Sequence, residues 1–131
     1  MEELRIIVAG GRDFDDYTKL KAAMFDVVYD FKKRYGEDFD IKIISGTARG
    51  ADRLGERYAK EKGYEVVRFP ADWDKLGKRA GYVRNAEMAK YAISDGNIGV
   101  LVAFWDGSSR GTKHMIDLAN KNGLEVFIVG Y

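Results

Sequence analysis

"IKIISGTARGAD", residues 41–52, runs from a β-branched apolar stretch straight into two glycines, two small hydroxyls, an arginine and an aspartate. Ala51, Leu54, Tyr58 and Ala59 then recur at helical spacing. The segment therefore reads as strand, turn, helix. A plain connection needs no such turn, so both the fold and the purpose of the turn hang on whether the pattern repeats.

It does repeat. "LRIIVA" (4–9), "EVVRF" (65–69), "GVLVAF" (99–104) and "EVFIV" (125–129) are further short apolar runs rich in Val and Ile. Such near-continuous runs mark strands covered on both faces. Helical stripes lie between them: Leu20, Met24, Val27, Val28 and Phe31; then Val83, Ala86, Ala89 and Ile93; then Thr112, Met115, Ile116 and Ala119. Gly63 and Gly123 stand where C′ glycines end the second and fourth helices. Parallel strands need helical crossovers, and these are right-handed. The expected fold is α/β: a doubly wound three-layer sandwich on a five-stranded parallel sheet of order 3-2-1-4-5, with 1–131 as a single domain. Periodicity alone leaves the order 2-1-3-4-5 open. "PADWDKLGKRA" (70–80), with the chain's only proline, reads as a longer loop that Gly77 and Gly81 break into turns.

Composition narrows the chemistry. The chain has 131 residues, 46% of them apolar, which suits one domain with a real core. There is no cysteine, which excludes disulfides, thiolate catalysis and cysteine-ligated zinc. The single histidine, His114, excludes a histidine-rich metal site and reads as a helix-surface residue. A net charge of +1 does not argue for DNA or membrane binding. No apolar run approaches a membrane span, and "MEELRIIVAGG" lacks the basic start of a secretory signal, so the expected location is cytoplasmic.

The unusual residues fall at one kind of place. Ligands of open α/β sheets sit beyond the carboxyl ends of the strands. There the chain places "GGRDF" (10–14), "SGTARGAD" (45–52) and "WDGSSRGT" (105–112). Glycine lets backbone amides approach a ligand. Helix starts offer unpaired N–H groups to anions, and arginine matches phosphate oxygens two at a time. Turns on the opposite edge, such as "EKG" (61–63), are merely polar. The plainer readings are turn punctuation at Gly10 and Gly11, a first-turn carboxylate at Asp52, and an ordinary turn at Asp106–Gly107. "FPADWDKLGKRAGYVRNAEM" (69–88) adds Lys75, Lys78, Arg79 and Arg84, as a ligand-covering flap or a solvated basic loop. Arg84, Asn85 and Met88 can share a helix face. Trp73 and Trp105 can stack on a base or roof the core. Neither the Walker string nor GxGxxG is present.

In this order, "GGRDF", "SGTARGAD", "FPADWDKLGKRAGYVRN..M" and "WDGSSRGT" resemble the YspA-like branch of the SLOG superfamily over nearly the whole chain. "SGTARGAD" is also similar to the glycine-rich loop of the DNA-processing protein DprA. The resemblance implies a Rossmann-like fold and a nucleotide or nucleotide-derived ligand. It implies that Gly10, Arg12, Ser45, Gly46, Gly50, Asp52, Arg84, Asn85, Gly107, Ser108, Gly111 and Thr112 surround that ligand. Gly11, Thr47, Lys78 and Trp105 join them from the same segments. The related LOG enzymes, which hydrolyse the N-glycosidic bond of nucleoside 5′-monophosphates, carry PGGxGTxxE. Aligning its GT on Gly111 and Thr112 puts Met115 at the glutamate and "GSS" at PGG. Candidate catalytic groups in its place are Asp52 or Asp106, with Arg84 stabilising a leaving phosphate.

Three functions follow as expectations. The first is a sensor or carrier of a phosphate-containing nucleotide derivative, without chemistry. The second is a nucleotide hydrolase, and the third is single-stranded DNA binding. Acidic Asp13, Asp15, Asp72, Asp74 and Asp106 in the same loops count against the third. No metal site or further cofactor is expected; the partner is a small molecule, and family likeness adds a homodimer.

Overall fold

The computed structural model describes residues 3–131. The five apolar runs form strands β1 (Glu3–Gly10), β2 (Asp40–Ser45), β3 (Glu65–Arg68), β4 (Ile98–Trp105) and β5 (Glu125–Gly130). All pair in parallel, in the order β3-β2-β1-β4-β5. The interiors of β1 and β4 are buried on both faces, which is why they read as continuous apolar runs.

Alternation along the strands builds two cores. Leu4, Ile6, Val8, Val100, Val102 and Phe104 face α1 (Tyr17–Tyr35) and α2 (Ala51–Lys62). Ile7, Ala9, Ile44, Leu101 and Ala103 face α4 (Ala80–Ile93) and α5 (Arg110–Lys121). Each buried Val, Ile, Leu or Phe side chain contributes about 1.5–3 kcal/mol. The chain changes faces between β1 and β4, so the loops after those strands diverge and leave a crevice at the carboxyl edge. Close packing sets α2 against β1: a Cβ at Gly55 would lie 2.7 Å from the Val8 side chain. At the opposite edge, buried Arg5 donates to Glu3 (2.8 Å), the Tyr91 carbonyl (2.6 Å) and the Ser94 hydroxyl (2.6 Å), tying the end of α4 to β1.

The stripes of α1 and α5 are buried as read, with Leu54 of α2 only partly covered. Two expectations are corrected. The buried face of α4 is Ala80, Asn85, Met88, Ala89 and Ala92, whereas Val83 and Ile93 are each 36% exposed. Small residues let the helix lie close to the sheet, so the bulkier β-branched ones end up outside. The segment 70–80 is also not a plain loop. It contains α3 (Trp73–Leu76), a 3₁₀ turn (Gly77–Arg79) and the start of α4. Asp72 caps α3 by accepting from the Lys75 amide at 3.1 Å. Gly77, at φ +60, breaks the chain as expected, but Gly81 lies inside α4.

Candidate functional site

The first two glycine turns pack backbone on backbone. The Gly11 amide donates to the Phe104 carbonyl (3.1 Å), and the Gly11 carbonyl accepts from the amides of Phe14 and Ala51, each at 3.2 Å. A Cβ at Gly10 would lie 2.3 Å from the Phe104 carbonyl oxygen, and one at Gly50 would lie 2.3 Å from that of Gly11. Buried Phe14 stacks on Phe104 with centroids 4.6 Å apart. The Tyr131 hydroxyl donates to Asp13 at 2.5 Å. The "GGRDF" turn is thereby clamped from both sides.

In "SGTARGAD", Ser45 is fully buried and structural: its hydroxyl donates to Glu56 (2.6 Å) and accepts from the Thr47 amide (3.0 Å). Thr47 sits at φ +67, unusual for a β-branched residue. Asp52, in the first turn of α2, is 5% exposed and accepts from the Ala48 amide at 3.2 Å. Burial pushes its carboxyl up to about 6, against the downward pull of the Ala48 amide, Arg84 and Arg12. Gly46 makes room for the charged groups: a Cβ there would lie 2.7 Å from Arg84 Nη1 and 2.8 Å from Asp52 Oδ2.

In "WDGSSRGT", Asp106 Oδ1 accepts from the amides of Ser108 (2.9 Å) and Ser109 (2.8 Å). These bonds hold the Asp106 carboxyl below its ordinary range. They also occupy the amides of Ser108 and Ser109, which therefore do not face an anion. Ser109 caps α5, its hydroxyl 3.5 Å from the Thr112 amide. The amides of Arg110 and Gly111, at the first two helical positions, have no acceptor within the helix. Trp105 donates its indole N–H to the Ser109 carbonyl (3.1 Å) and packs on the second core. It roofs the core and pins this turn.

The three turns and the start of α4 enclose a cleft of about 760 Å³. Gly10, Gly11, Arg12, Asp52, Lys78, Arg84, Asn85, Asp106, Gly111 and Thr112 line it, as do Trp73, Asp13, Ala48, Arg49, Gly81, Tyr82, Met88, Ser109 and Met115. Ser45, Gly46, Thr47, Gly50, Trp105, Gly107 and Ser108 lie behind or beside its wall. Tyr82, Arg49 and Asp13 were not singled out as ligand residues. Arg49 and Asp13 stand inside motifs already marked, whereas a lone tyrosine after Gly81 carries no spacing signal.

Charge in the cleft is unbalanced. Among the described residues, Arg12, Arg49, Lys78 and Arg84 have no carboxylate within salt-bridge distance. Arg84 donates Nη1 to the Gly46 carbonyl (2.5 Å) and Nε to Asn85 Oδ1 (3.0 Å), which leaves Nη2 free. Burial and the neighbouring charge of Arg12 push the Arg84 guanidinium below its usual pKa, with Asp52 pulling the other way. Two exposed rings flank these groups: Trp73 (49% exposed) and Tyr82 (46%). His114 is not a plain surface residue: it is half-buried behind the wall, with its ring on Tyr82 at 4.4 Å between centroids. Among the described residues, no helix is long and apolar enough to cross a membrane, and no cluster of three or more His, Asp or Glu is placed to hold a metal ion.

Known proteins bear on this arrangement. The Gene 61 protein of Mycobacterium phage D29 is 33% identical over 131 residues, covering 96% of each chain. No solved structure gives a significant match. Residues 4–76 match the model of the YspA, cpYpsA-related SLOG family, a span from β1 to α3 that includes the first two glycine turns. With that match, the full-length phage relative and the 3-2-1-4-5 sheet, the chain belongs to the YspA, cpYpsA-related SLOG family.

Proposed function

We propose that the cleft binds a phosphate-containing nucleotide or nucleotide derivative, as a sensor or carrier. One observation carries the reading: cations without carboxylate partners, the open start of α5 and two exposed aromatic rings all meet on one cleft. Cations and free amides suit phosphate, and exposed rings suit a planar base. A volume of about 760 Å³ falls in the range of small-molecule sites. SLOG membership points to a nucleotide-related function. Met115, buried on the cleft wall where the LOG pattern has glutamate, favours binding over cleavage.

Calorimetric titration with AMP, NAD and ADP-ribose tests the reading, with chromatography of the recovered ligand. Saturable binding with intact ligand is expected. Absence of binding by all three would refute it. A hydrolase is the second reading, favoured by the Asp52 carboxyl, which lines the cleft and is pushed up to about 6, within reach of general acid–base work. Release of free base or ribose 5-phosphate, abolished in Asp52→Asn, would establish it instead.

A further inference from the structure

The Arg84 guanidinium meets Asn85 on the cleft wall, and Asn85 in turn meets His114 behind it. Arg84 Nε carries one hydrogen and only donates, so the Asn85 atom it meets at 3.0 Å is the amide oxygen. The other end of that amide is therefore the NH₂ group. It points to the Gly111 carbonyl at 3.5 Å and to His114 Nδ1 at 3.2 Å. An NH₂ group only donates, so Nδ1 must accept. The ring is then neutral, with its hydrogen on Nε2. The same ring meets Tyr82 edge-on at 4.4 Å.

We propose that His114 is a positioning residue: its neutral imidazole, accepting at Nδ1 from Asn85, holds Arg84 in the orientation that receives the ligand's anionic group, and protonation of the ring releases it. A protonated ring would set an N–H at Nδ1 against the Asn85 NH₂. Turning the amide over only moves the conflict, because the NH₂ would then face Arg84 Nε–H. One hydrogen bond of the relay is lost either way: with the amide unturned Asn85 loses His114 and its own anchor, and with the amide turned Arg84 Nε loses Asn85 and Arg84 keeps only its hold on the Gly46 carbonyl. The groups facing the ring are Tyr82 and, through Asn85, Arg84 from α4, and Asp117 on its own helix. Asp117 favours the proton but pairs with Lys113 at 2.9 Å. Burial disfavours the proton and outweighs it, so the ring titrates below its ordinary value.

The inference rests on the anion-binding reading, and its test separates the two. His114 is the only histidine, so one imidazole signal reports it in NMR of the whole chain. Without ligand, the Nε2–H tautomer and a pKa below the free-imidazole value are expected; an Nδ1–H tautomer overturns the relay whether or not anything binds. Saturation with ADP-ribose, whose diphosphate takes up no proton near neutrality, is expected to lower that pKa further. An unchanged or raised value overturns the proposal. His114→Phe keeps a ring against Tyr82 but removes the acceptor. It is expected to weaken ADP-ribose binding about threefold to tenfold near pH 8, the span of one hydrogen bond. The wild-type advantage is expected to vanish as pH falls through the ring pKa read from the same NMR titration. Equal affinities near pH 8 would show that the ring only packs. Failure of AMP, NAD and ADP-ribose all to bind refutes the functional reading, while the unliganded tautomer still decides the relay.

Discussion

Two glycine substitutions are expected to separate the fold of the site from its use. Gly50 sits at φ 84, ψ −131, and a Cβ there would lie 2.3 Å from the Gly11 carbonyl oxygen and 2.7 Å from Arg12 Cα. Left-handed backbone costs an L-residue about 1–3 kcal/mol, and forcing apart packed backbone costs about 1–3 kcal/mol more. Gly50→Ala is therefore expected to lose about 2–6 kcal/mol of a total near 5–15. For a chain of this size that is a fall of roughly 8–24 °C in Tm. At Gly111 a Cβ meets nothing within 4 Å, and valine and glycine differ by only a few tenths of a kcal/mol in a helix. Gly111→Val is expected to melt within about 2 °C of wild type without ligand, since no packing changes. Its side chain, however, would stand where the proposed anion approaches α5. Ligand at about a hundred times Kd should stabilise wild type by about 2.7 kcal/mol, and Gly111→Val should lose that gain. Thermal unfolding by circular dichroism, with and without AMP, reads both. A Gly50→Ala protein melting within about 3 °C of wild type would refute the packing of the first two turns. Full AMP stabilisation of Gly111→Val would refute the anion's place.

The Asp52 carboxyl is raised from 3.8 to about 6 in the fold, so the folded chain holds that proton more tightly than the unfolded chain. The associated stability, on the order of 2–3 kcal/mol, is complete below about pH 4 and lost as pH rises through about 6. Asp52→Asn is expected to flatten that slope in denaturation curves and to tighten AMP binding near pH 7; an unchanged slope would show that Asp52 is hydrated. Arg84→Met is expected to leave Tm within a few degrees of wild type, because release of a buried charge offsets the lost hydrogen bonds to Gly46 and Asn85, while weakening AMP about tenfold or more by calorimetry, the scale of a charge-assisted hydrogen bond. Trp73→Ala is expected to weaken AMP but not pyrophosphate, by about 1–3 kcal/mol of base stacking; equal losses for both would place the ring outside base recognition.

Strand positions were legible because a parallel sheet covered on both faces writes itself as continuous apolar runs, whereas periodicity left the order 2-1-3-4-5 open beside the observed 3-2-1-4-5. The α1 and α5 stripes were legible because large residues mark their buried faces. α4 was not, because it buries alanines together with Asn85 and leaves Val83 and Ile93 outside. Hydrophobic spacing cannot see a helix chosen for closeness. The rim of the cleft was legible through glycine and arginine, yet composition could not tell facing from supporting roles. Ser45 and Gly46 belong to the wall's interior, and Asp106 satisfies its own turn. Tyr82 and His114 emerge only when α4 and α5 lie side by side.

Residues 73–79, which bring Trp73 and Lys78 to the cleft, bury no side chain, and the core resumes only at Ala80. Little free energy opposes their departure, since local opening is cheapest where few apolar contacts break. For the proposed ligand, admission and release would therefore proceed by lifting this one wall while the sheet and both cores stay intact. Residence time would then be set at Trp73–Arg79, and affinity for charge at the clamped turns opposite.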